Sequence, residues 1–161
     1  MSDCKLIQET LRYDPDTGNL IWKLDRGRRV KAGSIAGAAH CAGYVQLRLQ
    51  GKNYLAHRIA FLLMTGKWPE HQVDHINGVK DDNRWSNLRD VTNTVNSQNQ
   101  RKPRPGNKTG LLGVSSKPKG KFQAQIKIDG KIKYLGLFDS ADKAHDAYLL
   151  AKRELHEGNT L

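Results

Sequence analysis

The stretch VDHINGVKDDNRWSNLRDVTNTVNSQNQ (Val73–Gln100) sets an acid, Asp74, directly before a histidine, His75, and then spreads asparagines over the residues that follow. Asn side chains bond to nearby backbone and favour turns and caps. A polar turn would account for an Asp-His pair followed by Asn77-Gly78, but not for the recurrence of amides through Asn87, Asn96 and Asn99. In a strand, successive side chains point to opposite faces. At a distorted strand end, Asp74 and His75 can therefore take different tasks around one point.

Those residue types suit phosphodiester hydrolysis, which needs an activated water and charge neutralisation at phosphorus and at the leaving oxygen. A histidine with its ordinary pKa of ~6.5 can accept a proton near neutral pH. A hard cation such as Mg²⁺, with Mn²⁺ as the alternative, takes oxygen ligands and keeps several waters. One carboxylate and one amide oxygen suffice, so Asn96 can partner Asp74. The segment VTNTVNSQNQ reads as a short helix opening near Thr92, with Asn96 and Asn99 about one turn apart.

These residues carry a resemblance. VDHINGVKDDNRWSNLRDVTNTVNSQN, with the approach AHRIAFLLMTGKWP, resembles the HNH, or ββα-metal, motif of phage-type homing and nicking endonucleases over residues 44–100. Asp74-His75, the DDNR cluster, NLR and the trailing Asn fall in the family's order. The resemblance implies that His75 is the general base and that Asp74 and Asn96 hold the metal. Asn87 is then the middle asparagine of the catalytic set, shaping the loop. The last ligand is an Asn where the widespread form has His, and Asn99 is the alternative position. His57 reads either as a satisfied, half-buried histidine or as a residue lining the cleft.

Outside this stretch, charge is the strongest signal. The 161 residues carry a formal net charge of +11. Residues 1–100 hold 14 Lys/Arg against 10 Asp/Glu, and residues 101–161 hold 13 against 6. From Arg101 to Lys133 there are ten basic residues and one acid, Asp129. A concentration of this kind attracts polyanions, nucleic acid first among them. No apolar run reaches the ~20 residues that span a bilayer, and the N-terminus lacks the order of a signal peptide. A cytoplasmic protein without a membrane partner is expected, and nothing implies a protein partner. Cys4 and Cys41 are too few for a thiolate metal site and read as free thiols.

The apolar share, 37%, favours two modest cores over one large one. LRYDPDTGNLIWKL and GYVQLRLQGKNYLAHR read as hairpins, and HRIAFLLMTGKWP reads as a core helix capped by Gly66. QRKPRPGNKTG, with two prolines, two glycines and four basic residues, reads as a linker. GKFQAQIKIDGKIKYLGLF is a hairpin around Asp129-Gly130, and its register sets Lys127 opposite Ile132 and Gln125 opposite Tyr134. SADKAHDAYLLAKRELHEGN reads as one helix with Ser140 as N-cap and Gly158 at its end.

Residues 110–159 are similar to the AP2 DNA-binding domain, through the LGLF element, the Ala-rich helix and AYLLA. That resemblance implies a three-stranded antiparallel sheet on one helix, with the sheet face in the major groove of double-stranded DNA. Ser115, Lys119 and Tyr134 stand where plant members have Arg or Trp, so the docking mode transfers and the target sequence does not. Candidate DNA contacts are Arg101, Lys102, Lys117, Lys119, Lys121, Gln125, Lys127 and Tyr134. The expectation is an α+β protein with a nuclease domain over 1–100, a basic linker over 101–110 and an AP2-like domain over 111–161. Such a chain would be a metal-dependent DNA endonuclease acting in the cytoplasm of a bacterial or phage-infected cell. A DNA-binding regulator that does not cut, and an RNA-binding protein, are the competing readings.

Overall fold

The computed structural model describes residues 3–160. Helix α1 (Asp3–Thr10) leads directly into strand β1 (Leu11–Tyr13), which pairs antiparallel with β2 (Leu20–Trp22). Tyr13 stands opposite Leu20 and Leu11 opposite Trp22, so the turn Asp14–Asn19 closes the expected hairpin. Strand β3 (Ile35–Ala36) adds to β2. A second three-stranded sheet follows from β4 (Ala38–Ala39), β5 (Val45–Leu49) and β6 (Lys52–Leu55). Helix α1 was not expected. Ile7 is its one buried residue, and a single apolar anchor leaves no periodicity to read.

Helix α2 (Ala56–Thr65) is the spine of this half. Ala56, Ile59, Ala60 and Leu62 are buried. Gly66 takes the left-handed conformation (φ +77°) and donates its N–H to Leu62 O at 2.9 Å, the cap expected at that position. One side of the helix joins Ile7, Leu11, Leu20, Trp22, Leu47 and Leu49 in the main core. Ala60 instead meets Val73 and Leu88, with Phe61 and Trp85 packed alongside. That smaller cluster fastens the ribbon of β7 (Gln72–His75) and β8 (Leu88–Val91) to the helix.

The chain divides between Thr92 and Asn93 into two compact units. The second holds helix α3 (Asn93–Gln98), strands β9 (Val114–Lys117), β10 (Lys121–Ile128) and β11 (Lys131–Phe138), and helix α4 (Ala141–Leu155). Its sheet is antiparallel in the order β11-β10-β9. Lys127 lies opposite Ile132 and Gln125 opposite Tyr134, the register set by the Asp129-Gly130 turn. A bulge between Ala124 and Gln125 then shifts the remaining pairs. Val114, Ala124 and Ile126 face α4, whose Ala144, Tyr148 and Ala151 complete the core. Ser140 Oγ accepts from Lys143 N at 3.2 Å as the N-cap. The helix stops at Leu155, short of Gly158, where an added Cβ would come within 2.1 Å of Val95 O.

The basic stretch 101–110 packs within the second unit and is no open linker. Lys152 is 1% exposed, and its Nζ donates to Gln100 O at 2.6 Å. Arg101 Nη2 donates to Thr160 O at 2.8 Å. Asn107 Nδ2 donates to Leu111 O at 3.0 Å, while its Oδ1 accepts from Thr109 N and Gly110 N. Polar bonds hold what apolar burial could not. Cys4 and Cys41 are free thiols, and no described helix is long and apolar enough to cross a membrane.

Ile59 is fully buried where α2 meets the main core. Ile59→Ala should lower the unfolding free energy by ~2–5 kcal/mol in a urea titration, the usual range for an emptied core position.

Candidate active site

Strand β7 departs from alternation at its end. Val73, Asp74 and His75 are all buried, because the ribbon lies against α2 on one face and the following loop covers the other. Asp74 faces Arg89 across the pair. Its Oδ2 accepts from Arg89 Nη2 at 2.8 Å and Nε at 3.0 Å. The guanidinium compensates a carboxylate whose side chain is 8% exposed, without which burial of the charge would be costly.

The loop from Ile76 to Asn87 is closed by amides. Asn87 Oδ1 accepts from Asn77 N at 2.9 Å, and Asn87 Nδ2 donates to Asp82 O at 2.7 Å. Asn77 Nδ2 in turn donates to Asp82 Oδ2 at 2.7 Å, and Gly78 N donates to His75 O at 2.9 Å. Arg84 binds both oxygens of Asp82, Nε to Oδ1 at 2.7 Å and Nη2 to Oδ2 at 2.6 Å. The Arg84 guanidinium, with help from Asn77, pulls the Asp82 carboxyl down to about 2.

The hairpin turn of β1 and β2 seats this loop from below. Tyr13 Oη donates to Asn83 O at 2.6 Å, and Trp85 N donates to Pro15 O at 3.0 Å. Gly18 (φ +77°) presses so closely that a Cβ there would lie 2.5 Å from the backbone carbon of Asn83. Only glycine fits that contact.

His75 sits where these parts meet. Its Nε2 is 3.1 Å from Asn83 Oδ1. The His57 ring stands edge-on to it at 5.0 Å, and Tyr44 lies 6.0 Å from His75 and 5.3 Å from His57. Lys80 Nζ covers the Tyr44 ring at 4.8 Å. Burial pushes His75 below the ordinary histidine range, while the bond to Asn83 and the Asp74 charge pull it partly back. Burial, then the proximity of His75, pushes His57 down to about 3. Both rings are neutral at neutral pH.

His57 is not the satisfied histidine that one reading expected. It is 5% exposed, and its buried Nδ1 has no hydrogen-bond partner. The sequence also gave no notice of Arg89, Tyr44, Lys80 or Asn83 at this centre. Asn83 lies in plain view within DDNR, but its role depends on a loop path that spacing does not encode.

Asn96 lies half-buried on α3, in the second unit. Asn99, the alternative position, is buried in that unit and accepts at Oδ1 from Thr160 Oγ1. Of the expected DNA contacts, Lys102, Lys117, Lys119, Lys127 and Tyr134 are exposed. Lys121 pairs with Asp139, and Gln125 Oε1 accepts from Gln123 Nε2 at 3.0 Å. Arg101 is half-buried and engaged with Thr160, which leaves it poorly placed for an outside ligand.

Residues 54–98 match the HNH endonuclease family. The match runs from β6 through α2 and the β7–β8 ribbon to the end of α3, and so includes every element around His75 except Tyr44 and the β1–β2 turn. The chain is also similar to the HNH homing endonuclease I-HmuI, in a structure concerning its DNA binding and cleavage, with 28% identity and a TM-score of 0.45. That alignment covers 62% of this chain and 56% of the other, so the chain spans little more than half of that protein's length. No curated protein matches.

Beside His75, Asp74 is a carboxylate of the kind a hard divalent cation takes, and one of its oxygens is engaged by Arg89. Among the described residues no three His, Cys, Asp or Glu side chains are grouped to hold an ion. The buried Asp74 carboxylate would need amide oxygens and water to complete a coordination shell, the pattern that Mg²⁺ favours.

Asp82 has a carboxyl pKa depressed in the folded state, so the stability it contributes is present above the ordinary carboxyl range and is lost as pH falls through about 2. Asp82→Asn should therefore lower the Tm at neutral pH, and the gap to wild type should close progressively below pH ~4. A thermal melt series across that range measures it.

Proposed function

We propose that the protein is a metal-dependent DNA endonuclease of the homing or nicking type, in which the HNH domain cuts and the sheet of the second unit binds double-stranded DNA. The observation that carries this is the buried Asp74-His75 pair, locked by the Asn77–Asp82–Asn87 amide loop within the segment that matches the HNH family.

In this reading His75, neutral at neutral pH, takes a proton from water. The oxygen then attacks phosphorus in line, the bond to the opposite ester oxygen breaks, and that oxygen is protonated from solvent. Asp74 is the metal ligand that the first unit supplies, and the Asn96 amide is the second ligand that the resemblance implies. The cation, Mg²⁺ with Mn²⁺ as an alternative, supplies charge neutralisation at the phosphate and the leaving oxygen. Asn87 acts by holding the loop. One centre per chain cuts one strand, so the product of a single event is a nick.

For the second unit, the antiparallel sheet on one helix supports the reading as an AP2-like module. Its solvent face carries Lys117, Lys119, Lys127 and Tyr134 with Gln125 among them, a mixture of phosphate-binding, base-reading and stacking side chains. Lys102 extends the basic surface. Lys121 and Arg101 contribute less, since each already has an intramolecular partner.

Two measurements test the two halves. His75→Ala should lower the rate of plasmid nicking with Mg²⁺ by ~10²–10⁴ and leave DNA binding intact. Equal turnover by the mutant would remove His75 from the mechanism. Replacing Lys117 and Lys119 by Ala should weaken binding and reduce the slope of log K against log salt by ~0.9 for each lost phosphate contact. An unchanged slope would place the binding face elsewhere.

A further inference from the structure

Ile132, Tyr134 and Leu137 are 66%, 60% and 53% exposed, three large apolar side chains on the edge strand β11. Each stands directly opposite a polar residue of β10: Ile132 opposite Lys127, Tyr134 opposite Gln125, and Leu137 opposite Gln123. Directly opposed residues share a face of the sheet. Ala124 and Ile126 alternate with these β10 residues and are buried in the core, so the row lies on the face turned away from the helix. Strict alternation would carry Leu137 to the helix side. The pairs Gln125–Tyr134 and Ala124–Gly136 leave Leu135 as an extra residue, and it packs against the core. Gly136, at φ +142°, accommodates the step. The bulge thus returns Leu137 to the exposed row, where a regular strand would have hidden it. A single exposed leucine is ordinary, but a row kept together by a bulge asks for a partner.

The amides beside the row are coupled. Gln123 Nε2 donates to Gln125 Oε1 at 3.0 Å. That bond leaves the Gln123 oxygen as an acceptor and the Gln125 NH₂ as a donor for an outside group. Adenine presents the complement on its major-groove edge, a donor at N6 and an acceptor at N7. Guanine presents two acceptors there, so the Gln123 oxygen would meet O6 with no hydrogen between them. The thymine paired with adenine adds a methyl group on the same groove edge, and apolar side chains one strand away suit it. Lys117 and Lys127, exposed toward opposite ends of this face, match a polyanion. An RNA duplex is a poor fit, because its narrow major groove keeps side chains from the base edges.

We propose that this face reads A·T base pairs in the major groove of double-stranded DNA. The Gln123–Gln125 amide pair takes the adenine edge, and the row of Ile132, Tyr134 and Leu137 covers thymine methyl groups. The inference rests on the reading of the second unit's sheet as the DNA-binding surface, and names what that surface recognises.

The test uses the full chain in the presence of a chelator, so that binding is read without cleavage. Selection from a pool of randomised DNA duplexes should enrich sites that hold a block of A·T pairs. Replacing thymidine by deoxyuridine in an enriched duplex removes only the C5 methyl. At a covered position it should weaken binding about fourfold, the worth of one buried methyl group. Ile132→Ala or Leu137→Ala should abolish that penalty at the position each covers. Gln123→Ala with Gln125→Ala should lower the preference for A·T over G·C by ~5–100-fold, the discrimination of a bidentate base contact, and leave nonspecific phosphate binding in place. Enriched sites without A·T pairs, uracil bound as tightly as thymine at every position, or an unchanged A·T preference in the Gln123→Ala/Gln125→Ala variant overturns the proposal. Should that variant fail to fold, the wild-type selection and the uracil series decide alone. Retention of duplexes without base preference overturns the proposal only, whereas retention of no duplex also defeats the reading of the sheet as DNA-binding. A concentration-dependent dimer in sedimentation that Ile132→Lys dissolves would assign the row to a second copy of the chain and overturn the proposal too.

Discussion

A buried imidazole keeps a fixed place only if the chain beside it holds still, and here that stillness comes from one carboxamide. Asn87 joins the two ends of the loop, accepting from Asn77 N and donating to Asp82 O. The loop returns from β7 to β8 with little apolar burial of its own, so side-chain amides must satisfy the backbone groups that a strand ladder would otherwise pair. Asp82 extends the lock sideways to Asn77 and Arg84. A partly satisfied network of this kind would be weaker than none, whereas a closed one is stiff.

Electrostatics at the centre divides the labour between neighbours. Asp74 keeps its charge company with Arg89, while His75 and His57 are kept uncharged by burial. Two cationic rings 5.0 Å apart would repel one another. The arrangement thus sets an uncharged imidazole next to a compensated carboxylate.

How much of this was legible differs from element to element. The β10–β11 register was readable because a two-residue turn and a period of two leave one pairing that buries Ala124 and Ile126. The adjacency of Asp74 and His75 needed no folding to be seen. Helix α1 was hidden because one apolar residue makes no pattern. The stretch after Gln100 looked like a linker because proline, glycine and charge describe what a segment cannot bury, and say nothing of bonds such as Lys152 to Gln100 O. Asn83 escaped for a deeper reason. Its partner is chosen by the path of the loop, and that path is set by the β1–β2 turn, far away in sequence.

That distant turn has a consequence for how such a protein can vary. At Gly18 the main chain of one hairpin rests on the main chain of the loop beside the histidine, with no side chain between to absorb a change. Sheet edges and surface lysines elsewhere tolerate drift, but the length and shape of Asp14–Asn19 are coupled to an imidazole that they never touch. A lengthened or shortened hairpin would be felt at His75 as a displaced ring, with every residue of the matching segment still in place.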